Sequence, residues 1–167
     1  MKPEPIKVLM VCLGNICRSP TAEVVFKNEV RKRQLEHLFE IDSAGTGTWH
    51  IGEQPDHRAR QAAARRQLDL DPLQARTVSP DDFHSFDYIF AMDASNLKDL
   101  QSMQPANAKA QTLLFLTWPD KTEGQDGYHE VPDPYYSGPE GFELVLDLVE
   151  AASRDILDHL TGLHRLN

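Results

Sequence analysis

The spacing of apolar positions changes from segment to segment along this chain, and the changes assign its elements. Ile6 to Val11 is a short apolar run broken only by Lys7 and carrying β-branched residues, the pattern of a strand covered on both faces in a parallel sheet. The loop Cys12 to Arg18 follows. Ser19-Pro20 then reads as a helix start, with a hydroxyl able to cap and a proline suited to the first turn. Ala22, Val25, Phe26, Glu29 and Val30 continue at helical spacing. A second strand is expected at Phe39 to Ser43, stopped by the Gly-Thr-Gly of residues 45 to 47, and a helix rich in Ala, Arg and Gln at Asp56 to Gln67. Tyr88 to Met92 predicts a third buried strand, Ala94 to Ser102 a helix with Leu97 and Leu100 inward, and Thr112 to Leu116 a fourth strand. From Thr117 to Glu140 the chain is rich in Pro, Gly, Asp and Tyr, the composition of a long functional loop. The last helix, Pro139 to Leu163, carries Phe142, Val145, Leu146, Val149, Ala152, Ile156, Leu157 and Leu160 on one stripe.

Strands that alternate with helices predict an α/β fold, three layers αβα around a central four-stranded parallel sheet. The 167 residues, 40% hydrophobic, are the size of one domain with its own core, taken as residues 1–167 without linker or repeat. No stretch approaches the roughly 20 apolar residues of a membrane span. Met-Lys-Pro-Glu-Pro at the start lacks the apolar centre of a secretory signal. The expectation is a soluble protein of the cytoplasm with no membrane insertion. A net charge of -9 argues against nucleic acid as a partner, so any anion must be held locally. Cys12 and Cys17 are the only cysteines, too few and too close for a disulfide scaffold and in keeping with reduced thiols. The seven histidines show no metal-ligand spacing, and neither metal nor other cofactor is expected.

The loop after the first strand carries the chemistry. In such a fold ligands bind beyond the carboxyl ends of the strands. A loop that enters a helix directly aims successive N–H groups and the positive end of the helix dipole at one point, where phosphate or another oxyanion fits. Leu13, Gly14, Asn15, Ile16 and Cys17 separate Cys12 from Arg18 and wrap that point, Gly14 and Asn15 being the types that best tolerate positive φ. Arg18 can give two parallel charge-assisted bonds to the anion. Cys12 lies in the same positive field, which favours the thiolate, a nucleophile aimed at phosphorus. Ser19 can donate to that sulfur. Neither G-x-x-x-x-G-K-[ST] nor G-x-G-x-x-G occurs, so nucleotide binding has no fingerprint.

"VCLGNICRSPTAE", with "DSAGTG" (42–47), "FDYIFAMDASNL" (86–97) and "VPDPYY" (131–136), resembles the low-molecular-weight protein tyrosine phosphatase family over nearly the whole chain. The resemblance implies the phosphotyrosine phosphatase I-like form of the fold and tyrosine-phosphorylated proteins as partners. It implies a cysteinyl-phosphate on Cys12, with Arg18 and the loop amides on the phosphoryl oxygens. Asp133, in the Asp-Pro of the long loop, would be general acid and then base. Asn15 would brace the loop, Ser19 would stabilise the thiolate, and Cys17 would protect Cys12 as a reversible disulfide. Trp49, Tyr135 and Tyr136 would wall a slot deep enough to exclude phosphoserine. Leu73 departs from the family, which commonly has there a histidine bonded to the loop asparagine. A leucine cannot make that bond. Three other readings stay open: an arginine phosphatase of the same family, against which Ile16 stands where those carry threonine; an arsenate reductase, which would need a further cysteine for an intramolecular relay; and a phosphate-binding or redox-sensing module without turnover. Asp93 and Asn96 read as helix caps.

Overall fold

The computed structural model describes residues 4–166. Its sheet consists of β1 (Ile6–Cys12), β2 (Phe39–Gly45), β3 (Tyr88–Ala91) and β4 (Gln111–Leu114), all parallel and ordered β2-β1-β3-β4. The expected αβα arrangement is therefore the observed one. The helices are α1 (Arg18–Lys32), α2 (His57–Ala64), the short α3 (Asp82–Ser85), α4 (Ala94–Met103) and α5 (Pro139–Leu163).

Alternation along the strands distributes the core. Val8, Met10 and Cys12 of β1, with Tyr88 and Phe90 of β3, pack with Ala22, Val25 and Phe26 of α1 and with the α5 stripe. Leu9, Val11, Ile89 and Ala91 point the other way, against Phe83 of α3 and Leu100 of α4. This is the period of two that places successive side chains on opposite faces of a strand. It puts Cys12 on the α1 face.

The strand order explains where the site falls. The chain steps from β1 to β2 on one side and then crosses back to β3 on the other. The connections leaving β1 and β3 thus diverge and open a crevice at the carboxyl ends, the position at which open α/β sheets bind ligands.

Several boundaries differ from the sequence expectations. Both β1 and β2 run further, to Cys12 and Gly45, because they pair along their whole length. β4 ends at Leu114 where β3 ends opposite it. Phe115 and Leu116 are fully buried but lie beyond the ladder, since apolar burial continues after pairing stops. Asp56 stands outside α2 as its cap, accepting from the Arg58 N–H at 2.8 Å, and the helix stops at Ala64 rather than Gln67. Ser19 does not cap α1: Cys17 holds that position without a side-chain bond, and the Ser19 hydroxyl turns to the sheet. The 3-10 turn Glu36–Leu38 and α3 are too short to leave a periodic signal. Among the described residues no helix is long and apolar enough to cross a membrane.

Candidate active site

β1 ends at Cys12 and α1 begins at Arg18, so the five residues between form a tight loop at the mouth of the crevice. The segment after β2 holds this loop by its backbone. The Thr46 N–H donates to the Cys12 carbonyl at 3.0 Å and the Gly47 N–H to the Leu13 carbonyl at 2.8 Å. Gly45 permits the approach, because a Cβ there would lie 2.7 Å from the Leu13 carbonyl oxygen. Of the two residues expected to take positive φ only Asn15 does so, at 58°. At Gly14 a Cβ would come within 2.9 Å of the His50 ring, which would have to shift to admit it.

Inside the loop the polar groups converge on Cys12. Its sulfur is 3.0 Å from Ser19 Oγ and accepts from the Asn15 N–H at 3.2 Å. Asn15 donates from Nδ2 to Ser19 Oγ at 2.8 Å and to Ser43 Oγ at 3.0 Å, and its Oδ1 accepts from the Arg76 N–H at 3.0 Å. Every amide atom of this buried asparagine is therefore satisfied, which removes the concern attached to Leu73. That leucine packs at the edge of the core, and Ser43 and the Arg76 backbone do the bracing.

Arg18 is buried, and one nitrogen anchors it. Nη1 donates to Asp93 Oδ2 at 2.6 Å and to the Val131 carbonyl at 3.1 Å. Nε and Nη2 make no hydrogen bond among the described residues, which leaves an edge of the guanidinium facing the loop. Burial works against the charge of Arg18, but Cys12, Asp93 and Asp133 outweigh it and hold the pKa above the ordinary value. Asp133 lies at the mouth, half exposed, with Oδ2 3.7 Å from Arg18 Nη2 and Oδ1 accepting from the Tyr135 N–H at 3.1 Å. Cys17 is a free thiol pushed far up in pKa by burial first, then by Asp56, Cys12 and Asp133.

A cavity of about 240 Å³ opens above the loop, and Leu13, Ile16 and Cys17 form part of its wall. Trp49, Tyr135 and Tyr136 complete the rim rather than covering the core, with Trp49 71% and Tyr136 96% exposed. The Arg58 guanidinium lies 5.3 Å from the centre of the Tyr135 ring, a cation-π contact that steadies this side. All the site residues expected from the sequence are thus brought to one place. Sequence reasoning missed two others. Asp93 caps α4 as expected, in a capping box with Asn96, but its second oxygen holds Arg18. His50 lines the cavity, with Nδ1 2.6 Å from Glu53 Oε2; screening histidines for metal spacing could not find it. The signal for Asp93 was present, a cap immediately after a strand that ends beside the loop.

A thiol, a half-free guanidinium and a helix start aimed at one cavity define a class of site suited to an oxyanion and a nucleophile. Comparison with known proteins places it further. A family model, that of the low molecular weight phosphotyrosine protein phosphatases, matches residues 7–165. The low molecular weight phosphotyrosine protein phosphatase of Schizosaccharomyces pombe is 47% identical over 147 residues, 87% of this chain and 91% of that protein. The crystal structure of the Entamoeba histolytica protein tyrosine phosphatase with Hepes in its active site is 39% identical, with a TM-score of 0.86 over 94% of this chain and 97% of that one. A Drosophila arginine phosphatase is 34% identical with a TM-score of 0.85, covering 93% and 98%. The chain belongs to the low molecular weight phosphotyrosine protein phosphatase family.

Proposed function

We propose that the protein hydrolyses phosphotyrosine in proteins, and small aryl phosphates, through a phosphate carried on Cys12. The observation that carries this reading is the pair of polar groups on the Cys12 sulfur, Ser19 Oγ at 3.0 Å and the Asn15 N–H at 3.2 Å, in the loop that also supplies Arg18. Both stabilise a thiolate and neither needs to move for attack.

The phosphoryl group sits in the loop with its oxygens on the loop N–H groups and on Nε and Nη2 of Arg18. The Cys12 sulfur forms a bond to phosphorus as the bond to the phenolic oxygen breaks, and Asp133 gives its proton to that oxygen. Water then attacks phosphorus, Asp133 takes a proton from it, and the sulfur departs as thiolate, which Ser19 stabilises. Arg18 and the amides hold the charge of the transferring group in both steps. The position of Asp133 on the rim, 3.7 Å from Arg18 Nη2, supports this assignment of both proton transfers.

The wall favours an aryl phosphate. Ile16 gives the pocket an apolar side chain with no hydroxyl, and Trp49, Tyr135 and Tyr136 offer flat faces to a phenyl ring. A phosphoserine has no ring to span the distance from rim to loop. Peroxide is expected to convert Cys12 to a sulfenic acid that Cys17 captures as a disulfide, with loss of water, sparing the nucleophile further oxidation. Mass spectrometry that found sulfonic acid on Cys12 beside a free Cys17 would contradict this protective role.

The test is hydrolysis of p-nitrophenyl phosphate with chelator and no added metal, beside Cys12→Ser, followed by competition between phosphotyrosine and phosphoarginine peptides. Turnover lost in the variant and preference for phosphotyrosine are expected. Preference for phosphoarginine would assign the activity to the other branch. A reduced, folded wild type that binds phosphotyrosine without releasing phosphate would leave a binding module.

A further inference from the structure

Glu23 lies on α1 with its side chain 3% exposed, and its two oxygens face different ways. Oε1 accepts from Ser43 Oγ at 2.7 Å, toward the sheet. Oε2 accepts from Lys27 Nζ at 2.5 Å, one turn further along the helix. Lys27 is half exposed and is the one cation paired with Glu23 among the described residues.

Following the protons inward fixes a direction. A carboxylate only accepts, so the single Ser43 hydroxyl proton goes to Glu23, and the Ser43 lone pair accepts from Asn15 Nδ2. The Arg76 N–H on Oδ1 sets the orientation of the Asn15 amide, so Nδ2 donates its other proton to Ser19 Oγ. Ser19, already an acceptor, has its own proton left for the Cys12 sulfur, at 3.0 Å, nearer than its other acceptor, the Ala44 carbonyl at 3.4 Å. Six side chains thus form one directed relay: Lys27, Glu23, Ser43, Asn15, Ser19, Cys12. The outer end meets solvent and the inner end is the sulfur.

We propose that Lys27 is a positioning residue for Cys12: its charge compensates the buried Glu23 carboxylate and holds it in place at the head of the relay that ends on the sulfur. The inference rests on Cys12 being the nucleophile, as argued above. An ordinary Glu-Lys pair four residues apart joins two exposed side chains, and little depends on it. Here one partner is buried, so removing the other leaves an uncompensated charge inside the fold. Leu73 sharpens the requirement. It shares a surface groove with Lys27, Arg31 and Asp69 and brings no charge of its own, and of these cations it is Lys27 that pairs with Glu23.

The experiment compares Lys27→Met, Lys27→Arg, Glu23→Gln and the Glu23→Gln/Lys27→Met double variant, each confirmed folded by circular dichroism. Two readouts are taken, steady-state hydrolysis of p-nitrophenyl phosphate and the rate at which iodoacetamide alkylates Cys12. For Lys27→Met we expect kcat to fall about tenfold, with KM within about twofold. Alkylation should slow because the sulfur loses a donor to its anion. Lys27→Arg should restore both. In the Glu23→Gln background, where no charge needs compensation, Lys27→Met should change neither. Unchanged kinetics in Lys27→Met, equal losses in Lys27→Met and Lys27→Arg, or the same loss in the Glu23→Gln background would overturn the proposal. If Lys27→Met does not fold, the double variant against Glu23→Gln decides by the same criterion. Absence of turnover in the wild type would count against the phosphatase reading alone, and the alkylation rates would still judge the relay.

Discussion

The floor of the site and its rim are built on opposite plans. On the floor, Cys12, Asn15, Arg18 and Ser19 are buried, and each polar side chain is bonded to neighbours from at least one other element. At the rim, Trp49 and Tyr136 are largely exposed, Asp133 is half exposed, and the tyrosine hydroxyls have no hydrogen bond among the described residues. A buried, hydrogen-bonded network holds charges at fixed positions in a medium where they interact strongly. A sparsely bonded aromatic surface adapts its contacts and contributes mainly by area. The contrast teaches a division of labour: the floor should govern kcat, and the rim should govern which substrate is held and how tightly.

The largest effect should come from the floor. Cys12→Ser should lower kcat by about 10⁴-fold or more, because no other group is placed to attack; stopped turnover of nitrophenyl phosphate checks it. Asp133→Asn crosses the boundary between the two regions. It should slow turnover by about 10²-fold for a phenol of high pKa and far less for a nitrophenol that leaves unaided. Equal slowing for both leaving groups would remove Asp133 from the role of acid. Asp93→Ala should leave Arg18 without its carboxylate and destabilise the fold by about 3 kcal/mol, read from urea unfolding, with kcat reduced as well. At the rim, Tyr136→Ala should raise KM for phosphotyrosine peptides about threefold with kcat nearly constant. A fall in kcat with KM unchanged would break the division. The smallest effect is expected of Leu73→His. The Asn15 amide is already satisfied, so a histidine gains nothing there and kcat should stay within about twofold. A large gain would show that the Ser43 and Arg76 bonds are an inferior brace.

The floor was more legible in the sequence than the rim's support or the anchors. β1, the loop and the start of α1 are contiguous, so one apolar run and one short motif reveal the nucleophile, the guanidinium and the helix together. Asp93 is 75 residues from Arg18, and a cap signal explains it fully without the second contact that its other oxygen makes. Gly45 reads as punctuation after a strand, whereas its actual constraint is the Leu13 carbonyl pressing against the space where a Cβ would be. Ser-Pro usually marks a cap, but tertiary bonding to Cys12 and Asn15 claims the Ser19 hydroxyl. Phe115 and Leu116 show why strand ends slipped: apolar pattern reports burial, and burial outlasts the ladder.

If Cys12 is the nucleophile, phosphate passes through its sulfur. The most direct test is rapid quenching of the wild-type enzyme and of Asp133→Ala during turnover of an aryl phosphate, followed by phosphorus NMR and mass spectrometry of the peptide containing Cys12. A thiophosphate resonance and phosphate on Cys12 are expected, accumulating in the variant because water is no longer activated. Undiminished turnover with no phosphate on sulfur, or phosphate found on another residue, would contradict it.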